Sequence, residues 1–272
     1  MNDILLYLSQ PFAQHAIVAA ALVAVVCGLI GPFVIMRNMA FAVHGTSELA
    51  FTGAAGGLLF GGFALGGAFV GALIFAILVG TLGVRERERD STIGILLAFG
   101  LGLGVLLLSF YHGFSAQATN ILFGNIFGVN NTQLLLLLAL GSLACLAMVI
   151  MYRPLLFASV DPEVAQAKGV PMRTLNILFL LVLAVAVTEA AQVVGTLLVL
   201  SLAITPAAAA LRLATKPAIV TALSICFALA ASVGGLLLSL AFDTIKPSVF
   251  ITCLSFAIFL VIRLITAASR RI

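Results

Sequence analysis

The stretch T-L-N-I-L-F-L-L-V-L-A-V-A-V-T-E-A-A-Q-V-V-G-T-L-L-V-L-S-L-A-I-T-P-A-A-A-A-L, residues 174–211, decides how this chain folds. A helix needs about 20 apolar residues to cross the hydrocarbon core of a bilayer, and this run is close to twice that length. Glu189, Gln192 and Gly195 interrupt it, so it reads as two crossings, 174–191 and 194–211, with one long bent crossing as the alternative. The rest of the chain is of the same kind. Of its 272 residues, 63% are hydrophobic and only 8% are charged, and the mean hydropathy is +1.30. A soluble domain carries about 25% charged residues, so a soluble reading would leave a large apolar surface uncovered. The sequence predicts an all-α polytopic membrane protein.

The same ruler places the remaining crossings near 13–36, 40–60, 62–84, 92–112, 132–152, 217–241 and 247–267, giving nine in all, or eight if 174–211 is one. The N-terminal M-N-D-I-L-L-Y-L-S-Q-P-F has an acid and no Lys or Arg, unlike a secretory signal, so the first apolar run is expected to stay in the mature chain. Lys and Arg collect in cytoplasmic loops. Arg37, then Arg85, Arg87 and Arg89, then Arg153, Lys168 and Arg173, then Arg212 and Lys216, and finally Arg263, Arg270 and Arg271 all fall on one side of a nine-span chain. Only Lys246 falls on the other. The N-terminus is therefore predicted outside and the C-terminus inside, with 1–272 forming one transmembrane domain.

Cys27, Cys145, Cys226 and Cys253 are scattered among apolar runs without a C-x-x-C spacing, and read as small buried hydrophobes rather than ligands or disulfides. Gly62 and Gly66, Gly67 and Gly71, and Gly100 and Gly104 have the spacing that lets helices approach closely.

Three segments break the apolar pattern. The run R-E-R-E-R-D, Arg85 to Asp90, reads as a solvated turn, with Ser91 or Thr92 starting the next helix. The long polar loop 152–176 holds a well-capped short helix: Asp161 to cap, Pro162 at the first position, Glu163 and Lys168 matching the dipole, and Gly169 to end it. A docking element for a cytoplasmic partner is the functional reading, a plain structured loop the bland one. On the outer side, 113–131 has an apolar centre, I-L-F-G-N-I-F-G, too short to span, and reads as a re-entrant or interfacial segment.

Few polar residues lie within the spans. His44 and Glu48, in A-V-H-G-T-S-E-L-A, are four apart and share one helix face. An ionised side chain at the bilayer centre costs about 2.5 to 3.5 kcal/mol, so Glu48 is expected to face protein or a pathway, either as a ligand, or protonated, or hydrogen-bonded to Ser47, Thr52 or a neighbouring helix. Glu189 reads either as a pathway ligand or as an interface anchor snorkelling to water. His15 and His112 are expected at outer interfaces, and Asp243 and Lys246 in a short outer turn.

Five motifs, in order, resemble the permease of zinc/manganese-type ABC uptake systems: G-P-F-V-I-M-R-N-M-A-F (31–41), E-R-D-S-T-I-G-I-L-L-A-F (88–99), N-I-L-F-G-N-I-F-G-V (120–129), D-P-E-V-A-Q-A-K-G-V-P (161–171) and V-V-G-T-L-L-V-L-S-L-A-I-T-P-A-A-A-A (193–210). The resemblance implies a cobalamin-permease-like importer subunit in the bacterial plasma (inner) membrane. It also implies a homodimer served by cytoplasmic ATP-binding subunits and an extracytoplasmic metal-binding protein, with no nucleic acid among its partners. Residues 161–169 would be the coupling helix, through Asp161, Pro162, Glu163, Ala165, Lys168 and Gly169, and 113–131 would line the pore. The chain lacks a G-x-x-x-x-G-K-[ST] phosphate loop, so ATP would be hydrolysed by another subunit and this chain would perform no catalysis. The transported ion would be a divalent transition metal, zinc first, with manganese or iron next, and no permanent cofactor is implied.

The family usually carries an Asp and, four residues on, a His where this chain has His44 and Glu48. The two ligand types are exchanged while the spacing is kept, and both suit zinc, carboxylates also serving manganese. Two rival readings remain at this point: a secondary transporter using Glu48 and Glu189 as ion or proton carriers, and an intramembrane metal enzyme. The first lacks a visible inverted repeat, and the second lacks H-E-x-x-H.

Overall fold

The computed structural model describes residues 10–61, 63–82, 86–111, 120–196, 198–242 and 245–269. The described residues form helices and connecting turns, without a strand. In chain order these are α1 (Pro11–Met36), α2 (Ala40–Gly61), α3 (Ala64–Leu82), α4 (Glu86–Ser109), α5 (Asn131–Val160), α6 (Pro162–Ala167), α7 (Met172–Val194), α8 (Val199–Leu213), α9 (Pro217–Ala241) and α10 (Pro247–Ser269). A short 3-10 turn, Ile126–Gly128, precedes α5.

Each of the nine predicted crossings corresponds to a helix. Seven are long and apolar enough to cross a membrane: α1, α3, α4, α5, α7, α9 and α10. At 22 residues α2 has the length, but H-G-T-S-E lowers its hydropathy, and α8 has only 15 residues. The break inside 174–211 falls at Gly195, whose φ of 95° ends α7. This left-handed backbone favours glycine.

Local chemistry accounts for the other boundaries. Asn38 turns α1 into α2 at φ 52°, a conformation Asn tolerates better than most residues. At α5, Asn130 and Gln133 form a reciprocal capping box, with Gln133 N–H donating to Asn130 Oδ1 (2.8 Å) and Asn130 N–H to Gln133 Oε1 (3.2 Å). Pro11 and Pro217 stand in the first turns of α1 and α9, where a missing N–H costs nothing. Two boundaries depart from expectation: α5 continues through Pro154 to Val160, into the stretch read as a polar loop, and α4 starts at Glu86, so most of R-E-R-E-R-D is helical rather than a turn. Arg and Glu are good helix formers, and the apolar run behind them lets the helix extend outward.

The core lies around α1 and α7. Ala13, Ala16, Ala19, Ala20 and Ala24 of α1 are all fully enclosed, and their small side chains let α7, α8 and α9 close in. Ser232 Oγ of α9 donates to the Ala20 carbonyl at 3.0 Å, a contact of a kind that joins helices where water is absent. The outer surface is apolar, with Ile74, Ile95, Phe99, Val149, Ile150 and Leu264 all exposed, as suits contact with lipid tails. Cys226 and Cys253 also lie on this surface, contrary to the expectation that all four cysteines are buried; Cys27 is buried and Cys145 intermediate. A helix apolar on every side gives no sequence signal of which face turns inward.

The helix pair α2–α3 is packed backbone to backbone. A Cβ on Gly53 would run into the Gly67 carbonyl and would lie 3.0 Å from the Gly71 Cα, and one on Gly67 would meet Gly53 in turn. Gly67 and Gly71 thus do what their spacing predicts, while their partner Gly53 lies on the helix that carries Glu48. Gly62 is outside the described residues.

Candidate functional site

His44 and Glu48 sit one turn apart on α2. Glu48 is 2% exposed and His44 is partly exposed. Neither neighbouring hydroxyl serves the Glu48 carboxylate. Ser47 Oγ donates to the His44 carbonyl (2.8 Å), and Thr52 Oγ1 lies 3.0 Å from the Glu48 carbonyl oxygen and 2.5 Å from that of Gly100. The hydroxyls are therefore spent on backbone, and Glu48 Oε2 is buried with no hydrogen-bond partner among the described residues. A carboxylate oxygen enclosed in this way is costly unless something else pairs with it. Thr52 also fastens α2 to α4, a link that the sequence did not reveal.

Glu189 is on α7 and fully enclosed, and both its oxygens lack a partner among the described residues. It does not snorkel to water, as one reading of the sequence expected. A Cβ added at Gly141 of α5 would lie 3.1 Å from Glu189 Oε2 and 2.9 Å from Leu22 Cδ2 of α1, so the carboxylate points to the α1–α5 side of α7. The absent side chain at Gly141 leaves the space it occupies. Among the described residues no group of three or more His, Cys, Asp or Glu side chains is placed to hold a metal ion. His44, Glu48 and Glu189 are thus not gathered into one closed centre within a single chain.

Between the two acidic helices lies a cavity of about 190 Å³, bordered by Ala50 and Ala54 of α2, Gln133 of α5, Gln192 at the end of α7, and Asn120, Asn125 and Thr196. The segment from Asn120 to Val129 is pinned against the α7–α8 break: Asn125 N–H donates to the Gln192 carbonyl (3.2 Å) and Thr196 N–H to that of Ile121 (3.2 Å). The cavity does not include His44, Glu48 or Glu189 among its bordering residues. Residues 112–119, including His112, lie outside the described residues, as does Asp243. Lys246 places its ammonium 5.1 Å from the centre of the Phe123 ring, tying the start of α10 to the same segment.

On the opposite end, α6 has the caps its sequence predicts. Asp161 Oδ1 accepts from Val164 N–H (3.0 Å), Lys168 N–H donates to the Val164 carbonyl (3.0 Å), and Gly169 turns the chain at φ 84°. Ala165 is fully buried, whereas Asp161, Pro162, Glu163, Val164 and Lys168 are exposed. Arg37 brackets this loop, donating to Ser159 Oγ (3.3 Å) on α5 and to Asn176 Oδ1 on α7, and lying over the Phe179 ring.

The profile of the ABC 3 transport family matches residues 9–266. This chain belongs to the ABC 3 transport family. Among its relatives is the manganese transport system membrane protein MntC of Halalkalibacterium halodurans, 33% identical over 237 residues, covering 87% of this chain and 81% of that protein. The manganese import system permease protein ScaB of Streptococcus parasanguinis is 30% identical over 96% of this chain and 92% of its own length. Among solved structures, PsaBC from Streptococcus pneumoniae in complex with Fab superposes with a TM-score of 0.86 at 30% identity, covering 96% of this chain and 94% of that one. An ABC transporter in an inward-facing conformation, 17% identical with a TM-score of 0.72, shares the fold. The ABC 3 chain is thus a multi-pass protein of the bacterial plasma membrane, and its family membership speaks against a secondary transporter or an intramembrane enzyme.

Proposed function

We propose that this chain is the membrane-spanning permease of an ATP-driven importer of a divalent transition metal ion. The observation that carries the reading is Glu48: an acid 2% exposed, with an unpartnered oxygen, one helical turn from an imidazole, in a chain of the ABC 3 family. His44 and Glu48 would contact the ion in transit, and Glu189 would serve it at a separate point, on α7. Two ligands on one helix are too few for a closed site, so a homodimer that doubles them fits the geometry and leaves the ion able to depart. Zinc accepts both ligand types, but the more enclosed of the pair is the carboxylate, which also suits manganese. The names of the relatives support manganese as the first ion to test, ahead of zinc and iron.

Nine crossings with the N-terminus outside and the C-terminus inside would place α6 in the cytoplasm. There the exposed side of α6, with Val164 between Glu163 and Lys168, would rest on an ATP-binding subunit and carry its motion to the permease. A metal-binding protein would dock on the outer side, near the segment that ends in 120–129. The energy of transport would come from those separate subunits, and no resident cofactor is required.

Uptake by cells carrying the complete transporter, measured with manganese, zinc and iron in parallel, tests the proposal. ATP-dependent accumulation of at least one of the three is expected. Accumulation no greater than in cells lacking the permease, for all three ions, would refute it.

A further inference from the structure

We infer that the cavity between α2, α5 and α7 is a waiting site for a divalent cation that keeps its water shell, held through its waters rather than by direct ligands. The inference rests on the transport reading above and adds a site to it. The cavity, about 190 Å³ in volume, is bordered on its polar side by Asn120, Asn125, Gln133, Gln192 and Thr196. Amide oxygens and hydroxyls accept hydrogen bonds from water, which a metal ion makes a stronger donor. Among the described residues no carboxylate, imidazole or thiolate borders the space to compete with water for the metal. Liquid water takes about 30 Å³ per molecule, and the volume accommodates an ion with several waters.

Two further observations connect the cavity to the path. Ala50 lies two residues beyond Glu48 on α2, and Ala191 two residues beyond Glu189 on α7, so the cavity is one step along both helices from the two buried acids. In the topology proposed here both helices run outward at this point, which puts the cavity on the extracytoplasmic side of the acids. Thr196 supplies the second sign: it borders the cavity, is 2% exposed, and its Oγ1 has no hydrogen-bond partner among the described residues. A buried hydroxyl is ordinarily satisfied, and at a water-lined cation site it would be. Weak, water-mediated holding followed by ligand exchange onto carboxylates suits a path that must release its ion.

Hexaamminecobalt(III) is the probe, because its ammine shell does not exchange and it can be held only through hydrogen bonds from that shell. The purified complex containing the permease is dialysed against it and the retained cobalt counted. Saturable retention is expected, displaced by Mn²⁺, with Thr196→Val weakening it about fivefold, the effect of one lost hydrogen bond, and Thr196→Ser restoring it. Ala54→Leu, which fills the cavity from the apolar side, should lower retention as well. Absence of saturable retention by the native complex, or retention indifferent to Thr196→Val and Ala54→Leu, would overturn the inference. Failure of the transport reading would look different: cobalt retained by a complex that accumulates none of the three metal ions.

Discussion

Arg37 at the end of α1 joins Asn176 at the start of α7, and the same guanidinium reaches Ser159 at the end of α5. These two partners stand on either side of α6. Any displacement of α6 that moves the ends of α5 and α7 is therefore felt at Arg37, which is three residues from the start of α2. Arg37→Met keeps the stem and removes the hydrogen bonds. It should lower metal uptake about fivefold, within the range found for residues that link distant sites, while ATP hydrolysis by the assembled transporter falls less. The ratio of ions moved to ATP consumed checks this, and an unchanged ratio would assign Arg37 to stability alone.

Glu48→Gln preserves shape and removes the charge. Uptake should fall about tenfold or more, a loss of the size seen when metal-binding groups are impaired, with the amount of permease in the membrane unchanged. Glu48→Asp should retain part of the activity. Native uptake by the Gln variant would take Glu48 out of the path.

The α2–α3 contact makes a contrast between glycines. Gly53→Ala places a methyl against the Gly67 carbonyl and should destabilise the folded protein by about 1–3 kcal/mol. Gly94→Ala and Gly102→Ala meet nothing within 4 Å and should be neutral or stabilising, since Ala favours a helix interior. Thermal unfolding in detergent, followed for all three, decides whether close approach or mere helix propensity governs these positions.

Gly169→Val forces a β-branched residue into φ 84° and should disturb the end of α6, while Glu163→Lys reverses an exposed charge on it. Both should weaken docking of the ATP-binding subunit, measured by copurification. Undiminished copurification of both variants would mean that α6 is a structured loop and no more.

A cysteine at Gln166, which is exposed on α6, should react with a membrane-impermeant thiol reagent only after the cytoplasmic side is opened. The exposed Cys226 and Cys253 require a background in which they are replaced. Labelling of intact cells would invert the topology.

The helices were legible because apolar length is a property of the chain alone, and the division of 174–211 was legible because Glu189, Gln192 and Gly195 break its pattern locally. The caps of α6 were readable for the same reason. What depends on facing was not. Nothing in α9 or α10 announces that Cys226 and Cys253 look outward, nor in α7 that Glu189 turns toward Gly141 instead of to water. Gly53 escaped notice although Gly67 and Gly71 did not, because a close crossing is a property of two helices. Thr52 and Thr196 carry no motif: their meaning comes from the Gly100 carbonyl and from the cavity.

Gly124 and Gly195, both left-handed, touch across the segment before α5 and the α7–α8 break. A Cβ on Gly124 would lie 2.5 Å from the Val193 carbonyl and 2.7 Å from Gly195 N, while one on Gly195 would strike Phe123. The two stretches are separated by some seventy positions in the chain and have become a single hinge plate in space. A movement of this segment would therefore be geared to the C-terminal end of α7, so that shifting one without the other would require the plate itself to come apart.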